Sequence, residues 1–499
     1  MAEINPSLTK EIDAFAEREL HIPVSTLMRR AGDAVAAAVE RWAPRGARVL
    51  LFCGGGNNGG DGYAAACRLL TDGYEALCVD ALGKGQRSEA GRSFLEEYRR
   101  RVGEPLTPRE AKGLSADVCV DAVLGTGALF PPSAELGPLC ETMRASAPCH
   151  VAVDLPLGVD AEGGRLDAVC VPADETVCLG FAKVGLYSYP ARGAVGKLTV
   201  ADLGLDTPEV RAAFAIGTHT LTRDTVRGLL PRRGDNTHKG SYGHLLLLAG
   251  SRAYRGAAHL AAKGALRMGA GLITLAADES VLSGVLPALP ELILAPLSED
   301  APLSTELTRG KSAVLIGSGS GATAATAERL TALLTSEGGP LLIDADALTV
   351  LAERLGVSLL KEAKRKVILT PHPGEMARLY GVSVAEVQAD RLTVARRFAA
   401  EHGVTLVLKG AGTVVAEGEQ FSINTSGTPA LAKGGSGDVL AGAIASLLAT
   451  GLAPLAAASL AVWLHGTAGE RLAEEYSEAG VRPLELADAM ARLLREVQA

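Results

Sequence analysis

A chain of 499 residues with 47% apolar and 21% charged residues is longer than one ordinary globular core, so we expect two or three soluble domains. The net charge of -8 and an aromatic content of only 4% argue against a nucleic-acid surface, which needs basic patches interleaved with aromatic side chains. All eight cysteines precede residue 180 and none has the CxxC spacing of a metal site. We therefore predict reduced, mostly buried thiols and a domain boundary near residue 220.

The N-terminal part of the chain reads as two helices followed by a strand and a glycine-rich turn. Residues 5–45 have helical spacing interrupted at 21–23 (HIP), and the first residues lack the apolar core of a secretory signal. A short buried strand over 48–53 (RVLLFC) runs into 54–62 (GGGNNGGDG) and a predicted helix over 63–70. Strand, glycine-rich turn and helix in this order form the phosphate site of dinucleotide-binding folds. The alternative is a purely structural turn, because asparagine tolerates left-handed backbone conformations.

Further strands are predicted over 75–80, 116–123 and 149–154, and their ends carry polar residues. The carboxyl ends of parallel strands meet at one edge of a sheet, where ligands bind in open α/β folds. Over residues 8–210, including a later strand at 172–176 and Lys183, this pattern resembles the YjeF N-terminal domain, the NAD(P)H-hydrate epimerase family. The resemblance implies a Rossmann-like three-layer α/β sandwich.

The resemblance also implies a substrate site and a potassium site. The hydrated dinucleotide would be contacted by two segments: Asn57, Asn58, Gly59, Gly60 and Asp61 in the glycine-rich turn, and Gly125, Thr126, Gly127, Ala128, Leu129, Phe130 and Pro131 in a loop that closes over it. Asp154 would hold or deprotonate the substrate. Asn58 and Asp121 would bind K⁺, because their hard oxygen ligands suit a large, weakly held cation.

Two positions depart from the epimerase pattern. Leu157 stands where the family has a serine after Asp-Leu-Pro, and Arg29 replaces the glutamate of a Leu-Met-Glu motif. A serine hydroxyl would offer an oxygen to K⁺, whereas leucine offers only its backbone carbonyl. We therefore expect K⁺ to bind roughly ten- to a hundredfold more weakly, equivalent to the loss of one charge-assisted hydrogen bond. The change at Arg29 is expected to affect only a surface.

The segment 215–225 connects this part to a second α/β series. Strands are predicted over 243–250, 273–276, 312–321, 341–348, 367–375 and 405–412, with a helix over 256–268. Four of these strands end in polar, glycine or ring-constrained residues, and we expect those ends to converge on one edge of the sheet. One of them ends in Lys409 beside a glycine turn, a position suited to phosphate binding.

The most informative stretch covers residues 424–442 (NTSGTPALAKGGSGDVLAG), where a glycine cluster directly precedes a predicted helix over 439–449. Backbone amides of glycines at a helix start form a phosphate cradle. Asp438 would place a carboxylate at the rim of this cradle, where it can remove a proton from an attacking hydroxyl group. The alternative is that Asp438 only caps the helix.

Residues 439–465 carry no formal charge if His465 is neutral, and this run is long enough to span a bilayer. Residues 451–454 (GLAP) interrupt it, and alanine and serine outnumber the bulky side chains. We therefore predict two buried helices rather than a membrane span.

From about Thr225 onwards the chain resembles the ribokinase-like fold, and more narrowly the ADP-dependent NAD(P)H-hydrate dehydratase family. The resemblance rests on residues 424–442, on LKGAGT (408–413), on TPHPGE (370–375) and on HKGSYG (238–243). It implies that the nicotinamide hydrate contacts Ala257, Gly319, His372 and Asp438, with Asp438 as the base. It implies that the adenine nucleotide contacts Lys409, Gly410, Ala411, Gly412, Thr413, Pro429, Lys433, Gly434, Gly435, Ser436 and Gly437.

Several residues near these motifs stay open between a functional and a structural role. His372 either contacts the substrate or, held between two prolines, serves only its turn. Glu375 fits helix-dipole pairing, so we leave it outside the site. Asp344 and Asp346 either orient Mg²⁺ through water or form a structural turn.

Together the resemblances predict a bifunctional metabolite-repair enzyme with an epimerase domain over 1–216 and a dehydratase domain over 217–499. The first would interconvert the two epimers of hydrated NADH or NADPH with K⁺ bound. The second would use ADP and Mg²⁺ to dehydrate the S epimer, releasing AMP and phosphate. We expect a cytoplasmic homo-oligomer that binds NAD(P)H hydrate and ADP, and neither nucleic acid nor a membrane. Two alternatives stay open: a vitamin- or pyrimidine-type kinase with an accessory dinucleotide-binding domain, and a non-catalytic dinucleotide sensor or scaffold.

Overall fold

The computed structural model describes residues 3–83, 85–86, 88–214 and 216–498. The chain divides into two compact units, Met1–His219 and Thr220–Ala499. Thr220 already pairs with a strand of the second unit, so the connection predicted over 215–225 is shorter than expected, and Ala215 lies outside the described residues. Both units are built from largely parallel sheets and helices, which confirms the predicted α/β class.

The first unit alternates strands and helices along the chain. Its strands are β1 (Glu3–Ile4), β2 (Arg48–Cys53), β3 (Glu75–Asp80), β4 (Val118–Ala122), β5 (Cys149–Val153), β6 (Glu175–Leu179), β7 (Ala182–Lys183) and β8 (Lys197–Ala201). Its helices are α1 (Thr9–Glu19), α2 (Val24–Trp42), α3 (Asn57–Thr71), α4 (Glu89–Arg101), α5 (Pro108–Ala111), α6 (Gly137–Ser146), α7 (Arg192–Val195) and α8 (Pro208–Ala213). The main sheet has the order β3-β2-β4-β5-β6-β8 with parallel pairing throughout.

Alternation along β2 explains why helices cover both faces of this sheet. Val49 and Leu51 enter an apolar cluster with α2, α3 and α4, whereas Leu50 and Phe52 enter a cluster with α5 and α6. Because side chains alternate along a strand, a continuous apolar run buries both faces. The result is the predicted Rossmann-like three-layer arrangement. The eight cysteines, all in this unit, are free thiols and seven of them are buried, as predicted.

Helix α3 begins at Asn57, six residues earlier than the sequence predicted. The segment that reads as a loop therefore forms the first turns of the helix, and its glycines serve close packing. A Cβ at Gly59 would lie 1.8 Å from the carbonyl oxygen of Gly54, and one at Gly62 would lie 2.7 Å from the Cβ of Ala122. Side chains are excluded there because the helix start presses against the ends of β2 and β4.

The second unit contains a longer mixed sheet. Its strands are β9 (Thr220–Leu221), β10 (His244–Leu248), β11 (Leu272–Ala277), β12 (Ile293–Pro296), β13 (Ala313–Ile316), β14 (Leu341–Ile343), β15 (Val367–Leu369), β16 (Thr405–Leu408), β17 (Val414–Glu417) and β18 (Gln420–Asn424). Its helices are α9 (Arg223–Arg227), α10 (Arg255–Met268), α11 (Glu279–Val285), α12 (Thr305–Thr308), α13 (Ala324–Thr335), α14 (Asp346–Val350), α15 (Pro373–Tyr380), α16 (Val384–Ala389), α17 (Arg391–His402), α18 (Ser436–Ala449), α19 (Pro454–Tyr476) and α20 (Pro483–Gln498).

The strand order β12-β11-β10-β13-β14-β15-β16-β17-β18-β9 places four site-bearing strands side by side. Strands β13, β14, β15 and β16 are neighbours and parallel, whereas β16–β17 and β17–β18 pair antiparallel. The carboxyl ends of the four parallel strands therefore share one edge. This confirms the convergence predicted from the sequence.

The long uncharged run forms two helices, as predicted, because α18 ends at Ala449 and α19 begins at Pro454. Helix α18 packs closely on α10. A Cβ at Gly264 would lie 2.3 Å from the carbonyl oxygen of Val439, and one at Gly442 would lie 1.9 Å from that of Ala261. In the part of the chain that the structure describes, no helix combines the length and apolar character needed to cross a membrane.

We expect the two units to fold separately. Fragments 1–218 and 219–499 should each be soluble and unfold cooperatively, because each contains its own sheet and apolar clusters. The His219 N–H donates to the Glu3 carboxylate at 2.5 Å, so a first fragment that ends at residue 219 should be at least as stable as one that ends at 218. Thermal unfolding followed by circular dichroism measures both properties. An insoluble or unfolded fragment would show that the boundary is misplaced.

Candidate active sites

The carboxyl edge of the first sheet carries a cavity of about 540 Å³. Its walls include residues that follow β2, β4, β5 and β6, which is where open parallel sheets bind ligands. The residues predicted to bind hydrated dinucleotide that line it are Asn57, Asn58, Asp61, Gly125, Thr126, Gly127, Ala128 and Asp154. The volume lies within the range of small-molecule sites.

The other residues predicted for this site lie outside the cavity lining. Leu129 and Phe130 belong to a neighbouring cavity of about 240 Å³, and the Leu129 side chain is 90% exposed. Gly59, Gly60 and Pro131 line neither cavity. The two glycines are buried in the packing of α3, where a Cβ at Gly60 would lie 2.6 Å from the end of a methionine side chain.

Asp154 follows β5 directly and has a left-handed backbone conformation, with φ of 68°. Its Oδ1 lies 2.5 Å from Nζ of Lys183, whose side chain is fully buried, and its Oδ2 accepts a hydrogen bond from the Thr126 N–H at 3.4 Å. Lys183 also donates to the Leu179 carbonyl at 2.9 Å. Burial opposes the charge of Lys183, but the Asp154 carboxylate more than offsets it and the pKa of Lys183 is raised. Backbone strain of this kind concentrates at functional sites.

Asn58 and Asp121, the predicted potassium ligands, are both buried. The Asn58 amide donates to the Leu124 carbonyl at 3.0 Å, and its Oδ1 has no hydrogen-bond partner among the residues that the structure describes. The two Asp121 oxygens accept backbone hydrogen bonds, from Val123 at 3.2 Å and from Leu157 at 2.7 Å. Burial raises the pKa of Asp121 to about 6 although these bonds lower it. A buried oxygen without a hydrogen-bond partner can coordinate a cation, so these oxygen ligands fit a weakly held cation.

Leu157 is buried in the apolar cluster on one face of the first sheet. Its N–H donates to Asp121, and its carbonyl accepts a hydrogen bond from the Val171 N–H at 3.0 Å. The Leu157 backbone carbonyl, which the sequence left as the K⁺ ligand at this position, therefore already accepts one hydrogen bond. Arg29 is exposed, with its guanidinium 5.3 Å from the centre of the Phe94 ring, so that departure does lie on a surface.

Replacing Leu157 by serine should strengthen potassium activation and weaken the fold. The half-saturating potassium concentration for epimerisation should fall roughly ten- to a hundredfold because the hydroxyl supplies a ligand. The free energy of unfolding should fall by about 2–5 kcal/mol because a buried leucine is lost. The matched control is Leu157→Ala, which removes the same core volume without adding a hydroxyl. Potassium titrations with sodium at constant ionic strength compare the two, and equal half-saturating concentrations would refute a role for the hydroxyl.

Sequence reasoning missed a third carboxylate on the cavity of about 540 Å³, Asp13 of α1. The signal was available, because Asp13 lies one turn from the buried Ala16 and directly after the buried Ile12. An ionisable side chain on the buried face of a helix often marks a site.

The second site is built from the ends of four neighbouring strands. They are followed by Ser318 after β13, Asp344 after β14, Thr370 after β15 and Lys409 after β16. Oδ1 of Asp344 accepts from the Thr370 hydroxyl at 2.7 Å and from Nζ of Lys409 at 3.1 Å, and Oδ2 accepts from the Ser318 hydroxyl at 3.0 Å. The next residue, Ala345, has φ of 47°, a strained value for alanine. The sequence had left Asp344 open and had missed Ser318 and Thr370.

The glycine cradle at the start of α18 faces Lys409. The helix begins at Ser436, and its N-cap Gly435 has φ of 98°, which only glycine adopts without strain. A Cβ at Gly437 would lie 3.5 Å from Nζ of Lys409. Burial opposes the Lys409 charge, but the carboxylates of Asp344 and Glu375 raise its pKa. The lysine ammonium and the positive helix end together form a site for an anion.

Asp438 is the third residue of α18 and therefore not its N-cap, so the helix-cap alternative is wrong. Burial and the neighbouring Asp344 carboxylate raise the pKa of Asp438 to about 7, although Lys409 and a hydrogen bond with Ser318 lower it in part. A carboxylate with a pKa near neutrality is suited to accept and release a proton at physiological pH.

His465 of helix α19 contacts Ser436, the first residue of α18. Its Nε2 lies 3.1 Å from the hydroxyl of Ser436 and 3.1 Å from the carbonyl oxygen of the same residue. Burial lowers the pKa of His465 to about 4, so this ring is neutral at physiological pH.

His372 is the N-cap of α15, with Nδ1 accepting from the N–H groups of Gly374 at 3.0 Å and Glu375 at 3.3 Å. Burial and the charge of Lys409 lower the pKa of His372. The structural role is therefore real, and substrate contact stays a prediction. Glu375 accepts a hydrogen bond from the His372 N–H at the helix start, where the sequence had placed it, and its buried carboxylate also lies 3.9 Å from Nζ of Lys409.

The remaining predicted residues belong to the substrate contacts (Ala257 and Gly319) and to the nucleotide contacts. Ala257 and Gly319 are brought together, since a Cβ at Gly319 would lie 2.6 Å from that of Ala257. The Thr413 hydroxyl donates to the Gly410 carbonyl at 2.8 Å and closes the turn that contains Ala411 and Gly412. Lys433 instead donates to backbone carbonyls at residues 479 and 481, so its ammonium is already engaged. Pro429 begins a single 3-10 turn and Gly434 lies exposed before α18.

Among the described residues, no cluster of three or more His, Cys, Asp or Glu side chains is arranged to hold a metal ion. The Asp344 oxygens already accept from hydroxyl and ammonium donors, and Asp346 accepts from the Gly321 N–H at 2.8 Å. These side chains do not form a protein cage for Mg²⁺. They fit an ion held mainly by nucleotide phosphates and water, which is how Mg²⁺ commonly binds.

Comparison with known proteins bears on both sites. Residues 245–492 match the family described as NAD(P)H-hydrate dehydratase, and residues 24–185 match the family described as YjeF-related protein N-terminus. The chain is 38% identical to a bifunctional NAD(P)H-hydrate repair enzyme of Moorella thermoacetica, over 98% of this chain and 96% of that protein. This chain belongs to the bifunctional NAD(P)H-hydrate repair enzymes. A relative with the same description from Escherichia coli K12 is 33% identical over 95% of this chain and 90% of its own length.

Two solved structures similar to this repair-family member each cover 56% of it. The ADP/ATP-dependent NAD(P)H-hydrate dehydratase of Bacillus subtilis, co-crystallised with ATP and Mg²⁺, is 36% identical with a TM-score of 0.52, over 56% of this chain and 99% of that chain. A ribokinase-like superfamily protein of Enterococcus faecalis V583 is 28% identical with a TM-score of 0.51, over 56% and 97%. The predicted ribokinase-like fold of the second unit is confirmed.

Proposed function

We propose that the chain repairs hydrated NADH and NADPH in two steps, epimerising the hydrate in the first unit and dehydrating the S epimer with ADP in the second. The observation that carries the proposal is Asp438, a carboxylate with a pKa of about 7 in the first turn of the helix whose glycine start faces Lys409. A base next to an anion cradle is what transfer of a phosphoryl group to a hydroxyl requires.

In the second unit, Lys409 and the amides at the start of α18 would bind the ADP phosphates. Asp438 would take the proton from the hydroxyl group of the hydrate while the oxygen of that hydroxyl group attacks the terminal phosphorus of ADP. The bond between this phosphorus and the bridging oxygen then breaks, which releases AMP. Phosphate would then leave the ring carbon as the neighbouring carbon loses a proton, which restores the double bond. Asp344 would keep Lys409 in position through the contact at 3.1 Å.

In the first unit, Asp154 would hold or deprotonate the hydrate, fixed by its ion pair with Lys183. The loop 125–131 would close over the substrate, and its Thr126 N–H already bonds to Asp154. Such a fixed carboxylate suits acid–base chemistry at the hydroxylated carbon.

Two ions belong to the proposal. Asn58 and Asp121 would hold K⁺, which supplies a fixed positive charge at the substrate cavity when bound. Mg²⁺, held by the nucleotide phosphates with Asp344 and Asp346 nearby, supplies charge neutralisation during phosphoryl transfer when bound. The support for K⁺ is the unpartnered Asn58 oxygen.

The test supplies the purified chain with the S hydrate of NADH and ADP, and follows the return of NADH absorbance together with AMP and phosphate. We expect one AMP and one phosphate for each NADH, and no turnover without nucleotide. A small-molecule kinase would consume nucleotide without restoring the absorbance, and a sensor would bind without turnover. Either result would overturn the proposal. Replacing ADP by ATP measures the nucleotide preference.

A further inference from the structure

Among the residues that the structure describes, more carboxylates than cationic side chains line the cavity of the first unit. Asp13, Asp61 and Asp154 line it, together with the buried Lys183 and the exposed Lys10 of α1. Asp154 is paired with Lys183 at 2.5 Å. The other two carboxylates have no hydrogen bond or ion pair to any residue that the structure describes, and Asp61 is only 8% exposed. Unpartnered carboxylates in a half-enclosed cavity are poised for a ligand or a proton.

The burial of Asp13 at the cavity favours its protonated form more than at an ordinary surface aspartate. Burial raises the pKa of Asp13 to about 6, and the Asp154 carboxylate adds to this rise, whereas the charge of Lys183 opposes it. Burial and the carboxylates of Asp154 and Asp13 raise the pKa of Asp61 as well, and the charge of Lys183 opposes this rise. Asp154, in contrast, has a dedicated counter-charge in Lys183. One carboxylate with a counter-charge and one without, on the same cavity, are an arrangement suited to separate acid and base roles.

We propose that Asp13 is the general acid of the epimerisation, donating a proton to the hydroxyl group of the bound hydrate as that group leaves. The inference rests on the epimerase activity proposed above and adds a second catalytic residue to it. Asp13 comes from α1, an element outside the main sheet, so the cavity would receive its acid and its base from different parts of the unit.

The proposed step balances with water as its only co-reactant. The Asp13 proton goes to the hydroxyl oxygen, the carbon–oxygen bond breaks with its electron pair leaving as water, and the lone pair of the ring nitrogen forms a double bond to that carbon. Water then adds to the opposite face, the double-bond electrons return to nitrogen, and Asp154 accepts the proton released by the added water. Solvent returns the proton from Asp154 to Asp13. In the reverse direction the two carboxylates exchange roles, as microscopic reversibility requires.

The test uses the full chain with Asp13→Asn and separated hydrate epimers, whose interconversion is followed by chromatography. We expect epimerisation to fall by roughly 10²–10⁴-fold, whereas dehydration of the S epimer by the same chain stays unchanged. The matched control is Glu17→Gln, an exposed carboxylate on the same helix, which should epimerise at the wild-type rate. The wild-type kcat/KM should decline above pH about 6 as Asp13 loses its proton, and this limb should be absent in Asp13→Asn.

A second variant keeps the inference testable if Asp13→Asn alters the fold. Asp13→Ala opens space at the cavity, and added formate should restore part of the epimerisation rate, which a purely structural role of Asp13 would not allow. Wild-type interconversion combined with near-wild-type Asp13→Asn would overturn the inference and leave the epimerase proposal standing. A wild-type chain that interconverts no epimers, while it still dehydrates the S form, would overturn both.

Discussion

Replacing Asp438 by asparagine should slow dehydration by roughly 10²–10⁴-fold with little change in ADP affinity. Asparagine keeps the size of the side chain and much of its hydrogen bonding, but it cannot accept a proton. The nucleotide should still bind because Lys409 and the glycine start of α18 are unchanged. The measurements are steady-state rates with S hydrate and ADP, and calorimetric ADP binding.

The pH dependence provides an independent check on the same residue. Because burial raises the pKa of Asp438 to about 7, its basic form is lost as the pH falls through that value. The wild-type kcat/KM should therefore drop about tenfold per pH unit below about 7 and level off above it, and Asp438→Asn should lack this limb. The control Glu328→Gln removes an exposed carboxylate from α13 and should change neither rate nor profile. Near-wild-type turnover in Asp438→Asn would refute the assignment.

Replacing Lys183 by methionine should lower the free energy of unfolding of the first unit by about 3–5 kcal/mol and abolish most epimerisation. The Lys183 side chain is fully buried and that of Asp154 is 7% exposed, so methionine would leave a buried carboxylate without its counter-charge. Dehydration by the second unit should persist. Denaturant unfolding and the two activity assays measure these effects.

A surface pair provides the matched control for Lys183. Arg211 and Asp206 lie 2.5 Å apart with side chains 46% and 33% exposed, and Arg211→Met should cost under about 1 kcal/mol. The double variant Lys183→Met/Asp154→Asn removes both charges and should regain much of the stability without regaining epimerisation. Equal destabilisation by Lys183→Met and Arg211→Met would contradict the account of this buried pair.

The sheets and their ligand-binding edges could be predicted because short apolar runs and polar strand ends are local features. Lys409 and Asp154 follow this rule, and the strand order places each at a carboxyl edge. The start of α3 was mispredicted because glycines favour loops in isolation. Only the tight packing of Gly59 against Gly54 explains why the helix tolerates them.

The residues that sequence reasoning missed are defined by partners distant along the chain. Thr370 matters because it donates to Asp344, 26 residues away, and Ser318 because it lies on the adjoining strand end. The sequence indicated helix-dipole pairing for Glu375, and its approach to Lys409 appears only when β15 and β16 lie side by side. For Leu157 the sequence showed the departure from the family pattern, but only the structure shows that its side chain packs in an apolar cluster.

The central claim is that one chain performs both steps, and an equal mixture of the two hydrate epimers with ADP tests it most directly. The wild-type chain should restore the full NADH absorbance, because the R epimer is converted and then dehydrated. Asp154→Asn should stop near the fraction of S epimer present at the start, over a time in which the mixture does not epimerise in buffer alone. A wild-type chain that also stops at the S fraction would contradict the claim.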